Sequence, residues 1–158
     1  MSTDARRQPE YLWFLDTLVR VRVAMDEGTD GLSVLEHLAP HGDSPPLHIH
    51  HTEDELFHTL EGEFTFRIGT DERRIGPGEI LLAPKGVPHT YRVESRGGAR
   101  SITVTARGDF ERFVRAMARP AERPELPASS GPPTPEAAAA LAATARHYGI
   151  EIVGPPLR

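Results

Sequence analysis

The chain has 158 residues, a formal net charge of −5 and a pI near 5.9, with 38% hydrophobic and 26% charged residues. That is enough apolar material for one core, and the mildly acidic balance excludes a general attraction to nucleic acid phosphates. Cysteine is absent, which excludes disulfides, thiolate chemistry and the commonest structural zinc sites.

Residues 1–10, MSTDARRQPE, are polar with no apolar run, and read as a disordered leader. Neither a signal peptide nor a membrane span is expected, nor any membrane partner, and the location expected is cytoplasmic. Residues 11–107 read as β. Val19, Val21 and Val23 alternate with Arg20, Arg22 and Ala24 in a half-buried strand suited to a sheet edge. Phe64, Phe66 and Ile68 alternate with Thr65, Arg67 and Gly69, and Ser101 to Thr105 repeats the pattern. Glycine-bearing turns separate these runs, as in a sandwich or barrel.

Residues 108–158 change texture. Phe110, Phe113, Val114 and Met117 form the apolar stripe of a helix, with Asp109 as its expected N-cap. Six prolines between Pro120 and Pro135 favour an extended connector. Thr134-Pro135-Glu136 opens a second, alanine-rich helix, which Gly149 ends. The tail IEIVGPPLR suits a short strand. The helices and connector are expected to pack on the barrel.

Four of the eight histidines fall in GDSPPLHIHHTEDELFHTLEG, residues 42–62. A strand through His48 and His50 aims both imidazoles at one face and His51 at the other. Imidazole is the commonest neutral metal ligand. Glu55 follows a polar break and shares a face with Phe57 and Thr59. His89 opens a strand in GPGEILLAPKGVPHTYRV, on one face with Tyr91 and Val93. Each residue alone has a plain structural reading: a surface histidine pair, a solvated acidic turn over Glu53, Asp54 and Glu55, a packed histidine at 89. Phe57, Phe64, Phe66 and Tyr91 either line an apolar substrate pocket or fill the core, and Tyr91 is a candidate to orient His89. His37 and His41 read as surface or mouth residues, and His58 as packed or at the rim.

Taken together, the pattern is far more specific. Gly42, His48, His50, Glu55 and Gly62 recur with the spacing of one motif, and Gly78, Pro84, Gly86 and His89 with that of a second. This resembles the cupin superfamily, most nearly its single-domain quercetin-dioxygenase-like members. Val93 stands where the second motif usually ends in asparagine, which is not one of the family's metal ligands.

The resemblance implies an all-β fold, a double-stranded β-helix jelly-roll barrel followed by short C-terminal helices. It also implies one divalent metal ion per chain, held by His48, His50, Glu55 and His89. Iron, manganese, nickel, cobalt, copper and zinc all suit this donor set. The function implied is that of a mononuclear metal-dependent oxidoreductase, dioxygenase-like, acting on a small apolar or phenolic molecule, with Glu55 also as catalytic base. Two alternatives stand beside it: a non-catalytic cupin that binds or senses a small ligand, and an isomerase on the same fold. Arg67 and Arg92 point away from the inward face, which argues against a phosphate substrate. A homodimer is expected.

Overall fold

The computed structural model describes residues 9–158. The expected leader falls largely on residues 1–8, outside the described residues, and Glu10 already belongs to the first strand. The strands are β1 (Glu10–Phe14), β2 (Thr17–Val23), β3 (Ser33–Ala39), β4 (Pro46–His50), β5 (Glu55–Glu61), β6 (Phe64–Ile68), β7 (Asp71–Ile75), β8 (Ile80–Ala83), β9 (His89–Val93) and β10 (Ala99–Thr105). Helix α1 (Asp109–Met117), the two-residue β11 (Arg119–Pro120), helix α2 (Pro135–His147) and β12 (Ile150–Pro156) complete the chain.

Alternation of apolar and polar residues builds two antiparallel sheets. One has the order β11-β1-β2-β3-β10-β5-β8, the other β12-β4-β9-β6-β7. Inward positions of β3, β5 and β10 are buried at every second residue, as a strand period of two requires. The fold is an all-β jelly roll with two helices. β2 lies inside its sheet, between β1 and β3, so the strand bearing Arg20 and Arg22 is not the edge that its alternation suggested. Arg22 instead pairs with Glu36 at 2.7 Å, and the Arg20 guanidinium lies over the Tyr11 ring.

The tight turns need glycine. Gly62 has φ +75°, and a Cβ there would sit 2.7 Å from the Gly98 carbonyl oxygen.

Two apolar clusters fill the interior. Phe57, Phe64, Phe66, Ile75, Leu81 and Val93 form one, and Leu12, Val19, Leu35, Phe110, Phe113 and Val114 the other. α1 carries the second, so its apolar stripe is used as expected. Its N-cap is not Asp109, which is the first helical residue. Gly108 holds that position with φ +76° and offers no side chain. The cap comes from elsewhere: the Glu53 carboxylate accepts the Phe110 N–H at 2.6 Å and the Arg107 N–H at 3.1 Å. Thr134 caps α2 as read, accepting from Ala137 N–H at 3.2 Å.

The proline-rich connector lies along β1. Trp13 Nε1 donates to the Glu125 carbonyl at 2.7 Å, the Arg119 guanidinium lies over the Trp13 ring, and Asp16 accepts from Ser129 and Ser130. The tail becomes β12, paired with β4 so that Ile152 faces His48 in register. No helix among the described residues is long and apolar enough to cross a membrane.

Candidate metal centre

β4 places His48 and His50 two residues apart on one face, β5 brings Glu55 from the opposite sheet, and β9 lies beside β4 with His89 in register with His48. One donor atom from each of the four residues lies within 4.8 Å of the others. The imidazole centroids are 4.5 Å apart for His48 and His89, 5.2 Å for His48 and His50 and 5.3 Å for His50 and His89. His50, Glu55 and His89 are buried, and His48 is partly exposed.

Backbone carbonyls set the ring orientations. His48 Nδ1 donates to the Pro46 carbonyl at 2.7 Å and His89 Nδ1 to the Val87 carbonyl at 3.0 Å. A carbonyl can only accept, so each ring carries a proton on Nδ1 and turns Nε2 toward the centre, where in the metal-free protein His89 Nε2 also donates to the Glu55 carboxylate. This is how metal-binding imidazoles are commonly oriented. Tyr91 does not serve this purpose: its hydroxyl donates to Asp43 at 3.3 Å.

Glu55 Oε2 lies 2.8 Å from His89 Nε2 and 3.2 Å from His50 Nε2. Burial alone would push the Glu55 carboxyl up, but His50 and His89 outweigh it and bring it down to about 2. His89 moves the other way: burial opposes its charge, yet the hydrogen bond and charge of Glu55 raise it. Burial first, then its neighbours His89 and His50, brings His48 down to about 3, and burial lowers His50 as well.

The residues fit a divalent cation. Neither ring nitrogen of His50 has a hydrogen-bond partner, although both are buried. An orphaned buried nitrogen costs about 1–3 kcal/mol, and a cation at the focus of the four donors would satisfy Nε2. Three neutral nitrogens and one carboxylate form a donor set for first-row divalent metals.

Of the other histidines, His51 is exposed and pairs with Glu151 at 2.7 Å. His58 is half-buried on the outward face of β5, and His41 is exposed. His37 corrects the surface reading. It is buried on the inward face of β3 and stacked on Phe110 at 6.1 Å, and its Nε2 lacks a partner. Burial lowers its pKa to about 4. It shares the inward face of β3 with Leu35 and Ala39, a parity that the apolar Val34 and Leu38 on the other face conceal in the sequence. Phe110, 5.6 Å from the His50 ring, had no such signal, because its helix reaches the site only through tertiary packing. The acidic turn is also only partly solvated. Asp54 is exposed, while Glu53 and Glu55 are buried. Phe57, Phe64, Phe66 and Tyr91 pack on one another with centroids 4.7 to 6.3 Å apart, and the Phe57 ring is 6.1 Å from His89.

Fold and site define a jelly-roll barrel with three histidines and one glutamate converging inside it. Residues 34–105 match the cupin domain family, and the chain is a member of the cupin superfamily. It is 34% identical to quercetin 2,3-dioxygenase of Bacillus subtilis over 108 residues, 68% of this chain and 32% of that protein. It is 36% identical to the dimethylsulfoniopropionate lyase DddQ of Ruegeria pomeroyi over 84 residues, 52% of this chain and 40% of that one. The crystal structure of the polyketide cyclase RemF from Streptomyces resistomycificus superposes with a TM-score of 0.56 at 21% identity, covering 67% of this chain and 80% of that one. The chain spans 30% to 40% of the length of the curated relatives it matches.

Proposed function

We propose that this cupin is a mononuclear metal-dependent oxidoreductase of dioxygenase type, acting on a small apolar or phenolic molecule. One divalent ion per chain would be held by His48, His50, Glu55 and His89. The observation that carries this reading is the convergence of those four donors, three of them on buried residues, with the His50 nitrogens unpartnered. Likeness to a quercetin dioxygenase supports the choice of chemistry. When bound, the ion supplies a Lewis acid with open positions for substrate oxygen and dioxygen.

The chain's own groups would do the rest. His48 and His89, locked by the Pro46 and Val87 carbonyls, hold fixed nitrogen donors. Glu55, ionised at neutral pH, is a ligand whose Oε2 is also suited to accept the proton of an acidic substrate hydroxyl. Phe57 and Tyr91 would wall the substrate side next to His89, with Phe64 and Phe66 behind them. Among the described residues no arginine or lysine is buried, which favours an uncharged or phenolic substrate over a sugar phosphate and so disfavours the isomerase reading.

We also read the chain as a homodimer. Support comes from β8, the last strand of its sheet, which carries the exposed side chains of Ile80 and Leu82. Light scattering of the purified protein checks this, with a monomeric mass as the contrary result.

The central test is metal analysis followed by oxygen-electrode assays on flavonols and simpler phenols. About one ion per chain is expected, lost in His48→Ala/His50→Ala, with dioxygen uptake only in the loaded parent. A loaded protein that binds phenols without consuming dioxygen would favour the ligand-binding alternative. A parent that takes up no metal would end the metalloenzyme reading.

A further inference from the structure

Among the described residues, two buried side-chain polar atoms outside the four-residue cluster have no hydrogen-bond partner, His37 Nε2 and Thr59 Oγ1. Their residues lie on the inward faces of β3 and β5, and each is in register with Ser101 of β10, the strand between them. His37, Ser101 and Thr59 thus form a buried polar row across three neighbouring strands, on an inward face shared with the apolar Leu35, Ala39, Phe57 and Ala99 and the polar Ser33, Glu55, Thr103 and Thr105. Leaving a donor or acceptor buried and unpaired is costly, so such groups are normally matched by water or by a ligand.

Phe110 ties this row to the candidate metal centre. Its ring packs on His50 at 5.6 Å and on His37 at 6.1 Å. One aromatic ring therefore spans the interval between a metal-site imidazole and the unpartnered His37. A ligand of similar breadth, lying beside Phe110, would reach from one to the other.

We propose that His37 Nε2 and Thr59 Oγ1 form a second, metal-free polar subsite of the ligand chamber. It takes a hydroxyl or carbonyl oxygen at the end of the ligand remote from the metal-bound end. The ligand class is a single-ring oxygenated compound with a chelating oxygen pair on one side and a hydrogen-bonding oxygen on the other. This rests on the reading of His48, His50, Glu55 and His89 as a metal site open to ligand. The neutral imidazole and the hydroxyl can each donate or accept, which suits a ligand hydroxyl.

The test uses the full chain loaded with zinc, which is redox-silent, and two pyrones that share one chelating end. Kojic acid carries a hydroxymethyl group on the far side of the ring, and allomaltol carries a methyl group there. By calorimetric titration, kojic acid is expected to bind the parent about fivefold more tightly, the worth of one neutral hydrogen bond. His37→Phe and Thr59→Val should each erase that difference while allomaltol still binds. Zinc content is measured in every variant, so lost metal and lost polar contact are told apart. A parent without the difference, or a difference surviving in both variants, overturns the subsite.

A second readout needs no metal. Thr59→Val removes an orphaned hydroxyl without changing volume, so the urea midpoint of the metal-free variant should match or exceed the parent's. A clear fall would show that the hydroxyl is already paired within the fold, or through an ordered water, and would overturn the proposal. Failure of both pyrones to bind the zinc-loaded parent is a different signature. It defeats the open metal site, and the subsite with it.

Discussion

Glu53 and Phe110, 57 residues apart, are joined by a 2.6 Å hydrogen bond from the Phe110 backbone N–H to the Glu53 carboxylate. Glu53 lies in the turn between His50 and Glu55 of the candidate metal centre, and Phe110 stands in the first turn of α1. The carboxylate does for α1 what an N-cap side chain normally does, and its negative charge sits at the positive end of the helix. The turn between His50 and Glu55 and helix α1 are therefore one structural unit. Glu53→Ala leaves two N–H groups unpaired and is expected to cost about 2–3 kcal/mol. Glu53→Gln, which keeps an acceptor oxygen, should lose less. Urea unfolding measures both, and an unchanged midpoint in Glu53→Ala would show the cap to be unimportant.

Gly108 gives a second check on the same junction. Its φ of +76° lies in the left-handed region, and a Cβ would come within 2.5 Å of Met25 Sδ and 2.9 Å of Met25 Cβ. Gly108→Ala should cost about 2 kcal/mol, from backbone strain and the displacement of Met25. Thermal unfolding reads the change. Stability equal to that of the parent would contradict the strain argument.

Phe66 is only 1% exposed and packs on Phe57, Phe64 and Tyr91. Phe66→Ala is expected to cost about 3–5 kcal/mol through lost burial and the cavity left behind. Phe57, which faces His89, is the member of this quartet whose truncation should also alter ligand affinity. Pairing calorimetric ligand titration with urea unfolding for both variants separates packing from ligand contact. Equal affinity losses in the two would contradict that division.

The pH dependence of the metal-free protein has a predictable acid limb. His37 falls from 6.5 to about 4 in the fold because burial disfavours its charged form, against smaller opposing pulls from Glu55 and Glu36. The unfolded chain therefore binds this proton first. The contribution is complete above pH 6.5 and is lost as pH falls from 6.5 toward 4, by about 3 kcal/mol. His37→Phe should flatten that part of the stability profile, followed by urea unfolding at a series of pH values. A profile as steep as the parent's would mean that His37 does not stay neutral in the fold.

The sequence by itself determined the strand alternation, the turn glycines and the spacing of His48, His50, Glu55 and His89, whose family resemblance implied their convergence. Periodicity decides which face a side chain takes, and a motif spread over two short stretches brings its own spacing. Tertiary structure alone decided the rest. The cap of α1 comes from Glu53 rather than Asp109 because hydrogen bonding at a helix end depends on which acceptor lies nearby in space. Arg20 and Arg22 sit inside a sheet because strand order is not written in the alternation of one strand. The Pro46 and Val87 carbonyls orient two imidazoles because backbone groups leave no mark in residue identity. His37 and Phe110 meet His50 because a helix some 60 residues downstream packs its first turn into the barrel, a contact whose distant partners no local pattern encodes.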